Sequence, residues 1–180
     1  MPIPDYQAFM LPILKIYSDG KEYPFREVQE KLILQFGLTE EELREKLSSG
    51  QQSVFSNRSG WARTYLKKAG LIEPTIRGVY KITKRGLDVI RNKPEHIDSR
   101  FLRQFNEFLE FISAKKPPNG HGKIIDKTKT PQELLEAAYQ EIRTNLTIEI
   151  LHKLKSCDPG FFERLVVELL VRMGYGGSLK

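Results

Sequence analysis

Ser56-Asn57-Arg58-Ser59-Gly60-Trp61-Ala62-Arg63-Thr64-Tyr65-Leu66-Lys67-Lys68-Ala69-Gly70 runs directly into Leu71-Ile72-Glu73-Pro74-Thr75-Ile76-Arg77-Gly78-Val79-Tyr80-Lys81-Ile82-Thr83. At about 100° per residue, the first stretch gathers Ala62, Tyr65, Leu66 and Ala69 on one side of a helix over residues 56–69, and Gly70 stops it. The second reads as two short strands, 71–75 and 79–83, around Arg77-Gly78. Pro74 places the first of them at a sheet edge, because proline cannot donate to a ladder. A helix feeding a tight hairpin is the closing half of a winged helix-turn-helix, so the flanks decide whether the rest is present.

Upstream, Asp5 caps a helix whose Tyr6, Phe9, Met10, Ile13, Leu14 and Tyr17 recur at three- and four-residue steps, ended by Asp19-Gly20. A short strand fits at Tyr23. A second helix carries Phe25, Val28, Leu32, Ile33 and Phe36, stopped by Gly37. Thr39 and Glu42 have capping-box spacing and start a third helix that includes Leu43 and Leu47 and stops at Ser48-Ser49-Gly50. Downstream, Thr83 caps a helix with Leu87, Val89 and Ile90. Asp98 caps another through Phe101, Phe105, Phe108, Leu109 and Ile112, whose aromatics suit a core. Residues 114–130 hold Lys115, Lys116, Pro117, Pro118, Asn119, Gly120 and Gly122 with little apolar content, the composition of a linker. Pro131 opens a long helix striped with Leu135, Tyr139, Ile142, Leu146, Ile150 and Leu154. Asp158-Pro159 opens a last one with Phe162, Leu165, Val166, Leu169 and Met173 inward.

The expected fold is mainly α with a small β-hairpin: a winged helix-turn-helix domain over residues 1–113, a flexible linker over 114–130 and a helical segment over 131–180. That segment offers two amphipathic helices without a surface to bury them. It must pack on the first domain, form a homodimer, or belong to a longer domain.

The 180 residues carry 29 Lys and Arg against 23 Asp and Glu, for a net charge of +6. The distribution matters more than the total. Residues 55–93 hold ten basic side chains and two acidic ones, Glu73 and Asp88. This block covers the last core helix and the hairpin, where it suits phosphate neutralisation; the alternative is a solvated basic face. The single cysteine, Cys157, closes no intrachain disulfide, which fits a reducing cytoplasm. His96, His121 and His152 lack metal-ligand spacing. No apolar run approaches the roughly 20 residues of a membrane span, and Met1 to Tyr6 lacks a signal-peptide pattern.

On the 56–69 helix, Arg63, Thr64 and Lys67 project opposite the apolar side, and Ser56, Asn57 and Gly60 join them if the helix starts early enough. Hydrogen-bonding groups, cations and a glycine on one face are what a recognition helix offers the major groove. Arg58 falls nearer the buried side, where capping and DNA contact are both open, and Trp61 sits at the border. Arg77 at the hairpin tip, with Lys81, Lys84 and Arg85 behind it, matches a wing that touches a phosphate or the minor groove. No Walker loop, GxGxxG, nucleophile elbow or HExxH pair appears. Glu163 and Glu168 lie on one helix without an aspartate and lysine beside them, so no metal site is expected.

Taken together, Ser49-Gly50-Gln51, Asn57 to Ala62, Tyr65 to Ile72, Arg77 to Tyr80 and Ile82-Thr83 with Gly86 resemble the N-terminal winged-helix domain of Mrr-type restriction endonucleases, the type IV, modification-dependent class. Phe161 to Val167, followed by Met173-Gly174-Tyr175-Gly176-Gly177, resembles the opening helix of that family's PD-(D/E)XK catalytic domain. The resemblance implies recognition of double-stranded, methylated DNA by the residues present, and Mg²⁺-dependent cleavage by a full-length nuclease. It carries over only Glu163, as an accessory acidic position, because the family's catalytic acid and later lysine motif follow the Gly-Tyr-Gly-Gly segment. The expectation is therefore a DNA-recognition part with an incomplete nuclease domain, inactive by itself. The alternative is a winged-helix transcription regulator or adaptor that dimerises through its C-terminal helices.

Overall fold

Asp5 caps the first helical turn by accepting the Ala8 N–H at 2.8 Å, but regular helix begins only at Met10 (α1, Met10–Ile16). These details come from a computed structural model, which describes residues 2–113 and 128–175. A 3₁₀ turn, Tyr17–Asp19, follows α1 and ends at Gly20. Next come β1 (Tyr23–Pro24) and α2 (Phe25–Phe36), the latter stopped by Gly37 at φ 61°. The Thr39–Glu42 capping box forms as expected and starts α3, yet this helix spans only Glu40–Arg44. The chain turns extended at Glu45, and the Leu47 N–H bonds to the Gln52 carbonyl at 3.0 Å. Buried Leu47 therefore reaches the core from a tight loop instead of a helix.

Helix α4 (Val54–Lys68) starts two residues earlier than the apolar spacing suggests, because Ser53 accepts the Ser56 N–H at 3.2 Å and so caps it. Strands β2 (Ile72–Ile76) and β3 (Val79–Ile82) form the hairpin, and Thr83 caps α5 (Lys84–Arg91). The sheet has three strands in the order β1-β3-β2, since Tyr23 pairs opposite Tyr80 on the free side of β3. Pro74 lies in an outer strand, β2, as its missing N–H requires. The helix expected over residues 98–112 is two, α6 (Ser99–Leu102) and α7 (Asn106–Ser113). Three successive i→i−3 bonds, from Arg103, Gln104 and Phe105, tighten the chain between them.

Helix α4 is the centre of the packing. Ala62, Leu66 and Ala69 are fully buried beneath it. Phe9 meets Phe36 and Phe55 edge to face at 5.1 and 5.7 Å, and Tyr65 meets Tyr6 and Phe108 at 5.3 and 5.2 Å. Ser59 is buried but satisfied: its hydroxyl donates to the Phe55 carbonyl at 2.8 Å and accepts from Gln29 Nε2 at 2.9 Å, tying α2 to α4. Gly86 lets α5 close on the hairpin base, since a Cβ there would lie 2.2 Å from the Leu71 carbonyl oxygen.

The chain divides into two compact units, Met1–Glu136 and Ala137–Lys180. Helix α8 (Pro131–Ser156) begins in the first. Within the second, the Asp158 side chain accepts the Phe161 N–H at 3.1 Å and starts α9 (Pro159–Arg172). Phe162, Leu165, Val166, Leu169 and Met173, expected to face inward, are exposed. Most of the expected linker, residues 114–127, lies outside the described residues. Among the described residues no helix is long and apolar enough to cross a membrane. The first unit has the element order that a winged helix-turn-helix predicts.

Candidate nucleic-acid interface

The outward side of α4 presents Gly60, Thr64 and Lys67. A Cβ at Gly60 would meet nothing within 4 Å. No internal neighbour demands glycine there, and the space above it is open to a ligand. The Thr64 hydroxyl donates to the Gly60 carbonyl at 2.8 Å, which leaves its oxygen lone pairs as acceptors. Lys67 is exposed.

Arg63 lies at the border with the sheet, and both it and Ser56 are half-buried. The Arg63 guanidinium stacks 4.5 Å from the Phe25 ring centre and 5.2 Å from that of Tyr80. Its helical projection is outward, yet its charge is spread over two aromatic faces. Nearby, the buried Tyr17 hydroxyl has no hydrogen-bond partner among the described residues. Burial pushes it well above its ordinary pKa, with Arg63 opposing the shift.

Asn57 departs most from its projection. It is 3% exposed, its Nδ2 donates to Gln52 Oε1 at 3.3 Å, and its Oδ1 accepts from the Thr130 hydroxyl at 2.7 Å. The reason is a segment that helical geometry cannot foresee, residues 130–136, which folds over the start of α4. Arg58 is held by the same segment and by the N-terminus. Its Nη1 donates to the carbonyls of Ile3 and Pro4 at 2.6 and 3.2 Å, and its Nε and Nη2 donate to Glu133 at 3.0 and 2.8 Å.

At the hairpin tip Arg77 is exposed, and Gly78 takes the φ of 83° that the turn needs. Ile76 beside it is 68% exposed, an apolar tip next to a cation that sequence reasoning passed over. Lys81 sits opposite Glu73 and pairs with it at 3.3 Å. Arg85 forks onto Glu107 at 3.0 and 2.9 Å and donates to the Ala69 carbonyl at 2.9 Å. That fork holds the Glu107 carboxyl below the usual glutamate range. Among the described residues no carboxylate pairs with Lys67, Arg77 or Lys84. Lys67 and Lys84 line one open groove with Gly70 and Thr83.

Glu163 is exposed on α9. Glu168, five residues on and turned well around the helix, is engaged by Arg172 at 3.1 and 2.8 Å. Among the described residues no three His, Cys, Asp or Glu side chains gather as a metal site requires.

Residues 6–92, from the capped first turn through the end of α5, match the Mrr N-terminal domain family. Over that stretch the chain is similar to the Mrr family. Over 189 aligned positions it is 28% identical to the type IV methyl-directed restriction enzyme EcoKMrr of Escherichia coli (strain K12), covering 98% of this chain and 61% of that relative. The chain thus spans about three-fifths of the relative's length. No solved structure matches it significantly.

Proposed function

We propose that this chain belongs to the Mrr family and is the DNA-recognition part of a restriction endonuclease acting on methylated foreign DNA. In this reading α4 enters the major groove of duplex DNA, and the β2–β3 wing lies on the adjacent backbone or minor groove. The observation that carries it is a set of cations without carboxylate partners among the described residues, Lys67 on α4, Arg77 at the wing tip and Lys84 at the start of α5 beside the hairpin base. Surface cations left unpaired beside a groove favour polyanions, since each phosphate contact releases a counterion.

Roles then divide by chemistry. Lys67 and Lys84 position the backbone, while Ser56 and Thr64 present hydroxyls to base edges and Gly60 admits close approach. Arg77 and Ile76 together suit the minor groove, a cation beside an apolar wedge. Arg63 braces the α4–sheet junction as well as adding charge, and Lys81 shares its charge with Glu73. Cleavage with Mg²⁺ is assigned to the longer proteins of the family, and no step is assigned to Glu163. The exposed apolar side chains of α8 and α9 favour a homodimer as a second mode of association. The protein works in the cytoplasm, where Cys157 stays reduced.

Fluorescence anisotropy of a labelled duplex, methylated and unmethylated, tests the reading. Salt-sensitive binding that is tighter for methylated DNA supports it. Absence of salt-sensitive binding to either duplex overturns it.

A further inference from the structure

The N-terminal end of α4 is covered, and what covers it is acidic. Thr130 and Glu133 form a capping box at the start of α8: the Thr130 hydroxyl accepts the Glu133 N–H at 3.1 Å, and Glu133 Oε2 accepts the Thr130 N–H at 2.7 Å. The Thr130 hydroxyl also donates to Asn57, which it buries. The other Glu133 oxygen lies on Arg58. One helical turn further, the Glu136 carboxylate accepts the Ser49 N–H and the Ser49 hydroxyl, each at 2.9 Å.

The donors in this clasp are those a phosphodiester uses. An edge of a planar guanidinium, and an N–H with a hydroxyl on a tight turn, bind carboxylate and phosphate oxygens alike. They sit on α4 and on the turn before it, the parts of a helix-turn-helix that run beside the DNA backbone. Arg58 would keep its place if Glu133 left, because Nη1 is fixed by the Ile3 and Pro4 carbonyls. The Ser49 N–H also holds the Glu136 carboxyl below its usual range, as an anion site does for the anion it binds.

We propose that Arg58 and the Ser49 turn form a binding site for DNA backbone phosphates, which Glu133 and Glu136 fill as internal phosphate mimics until DNA displaces them. The proposal rests on the DNA-binding reading above. Displacement uncovers Asn57, whose amide then faces the groove with the donor and acceptor that suit an adenine edge. It also releases the first turn of α8 from the recognition helix. The cost is the breaking of a half-buried pair, whose side chains are 21% and 11% exposed, and phosphate contact offsets it.

The test compares the full chain with Glu133→Gln/Glu136→Gln, using anisotropy of a short fluorescein-labelled duplex. A control, Glu149→Gln/Glu163→Gln, makes the same charge change at exposed positions. A clasp closed about nine-tenths of the time weakens apparent binding about tenfold, so the clasp variant binds about tenfold tighter and well beyond the control. Wild-type binding that the clasp variant fails to exceed, or a gain no larger than the control's, overturns the proposal and leaves the DNA-binding reading intact. No binding by any of the three overturns both. Glu136→Gln alone keeps the Arg58–Glu133 pair, and it carries the test if the double variant melts below the assay temperature.

Discussion

The guanidinium of Arg63 rests 4.5 Å from the centre of the Phe25 ring, so a residue whose helical projection is outward also joins α4 to the start of α2. Its removal therefore acts on stability as well as on binding. Arg63→Ala costs about 1 kcal/mol, the scale of a partly exposed cation–π contact. Leu66→Ala leaves a cavity under α4 and costs about 2–5 kcal/mol. Thermal melts followed by circular dichroism rank the two, and a larger loss for Arg63→Ala would refute the assignment of faces.

Lys67 separates binding from folding more cleanly, because it is exposed and meets no carboxylate among the described residues. Lys67→Ala and Arg77→Ala leave the melting temperature unchanged and weaken DNA binding. Each removes about 0.9 from the magnitude of the slope of log affinity against log salt, and the unmodified chain gives a slope of roughly −3 to −6. A slope near zero for the unmodified chain shows that the basic block is only a solvated surface.

Much of the fold was legible because it is set by local chemistry. The Thr39–Glu42 box, the Thr83 and Asp98 caps and the glycine stops each act within a few residues. What escaped depends on contacts distant in sequence. The short strand at Tyr23 was read but not its pairing with the free edge of β3, and Asn57 is buried by a segment 73 positions away. The site divides the same way. Lys67 and Arg77 are exposed as projected, whereas Arg85 is drawn onto Glu107 and Arg58 onto Glu133. One signal was readable and passed over: Thr130-Pro131-Gln132-Glu133 has the spacing of a capping box, which makes Thr130 the cap of the helix that Pro131 opens and not the last residue of a linker.

The Arg85–Glu107 fork predicts an acid sensitivity with a definite sign. Arg85, by hydrogen bonding, holds the Glu107 carboxyl below its ordinary value of 4.5 in the folded chain. A depressed carboxyl contributes stability that is present above the unfolded value and lost as pH falls through the folded one. Glu107→Gln therefore lowers the melting temperature at neutral pH, and the gap to wild type narrows as the pH drops below that ordinary value. A gap that stays constant from neutral pH to well below it rules out this linkage.

Gly86 tests the packing of α5 on the hairpin. With a Cβ 2.2 Å from the Leu71 carbonyl and 2.6 Å from Ile82 Cγ1, Gly86→Ala forces the helix off the sheet base. The expected cost is about 1–3 kcal/mol or more, in spite of alanine's better helix propensity. Urea denaturation measures it, and a stabilised variant shows that α5 sits further from β3 than the distances imply.

The last prediction concerns cleavage: the 180-residue chain does not nick supercoiled plasmid, methylated or not, with Mg²⁺ or Mn²⁺. Metal-assisted phosphodiester hydrolysis needs at least two carboxylates held on one ion and a group to stabilise the attacking water, all fixed within a few ångströms. On α9, Glu163 and Glu168 diverge around the helix, and Arg172 already engages Glu168. The acidic residues of the first unit offer no substitute. Among the described residues no three His, Cys, Asp or Glu side chains gather, and Glu107 is committed to Arg85. Glu163→Gln accordingly leaves DNA affinity unchanged. Metal-dependent nicking by the purified chain that is abolished in Glu163→Gln would demonstrate a working centre assembled around that residue.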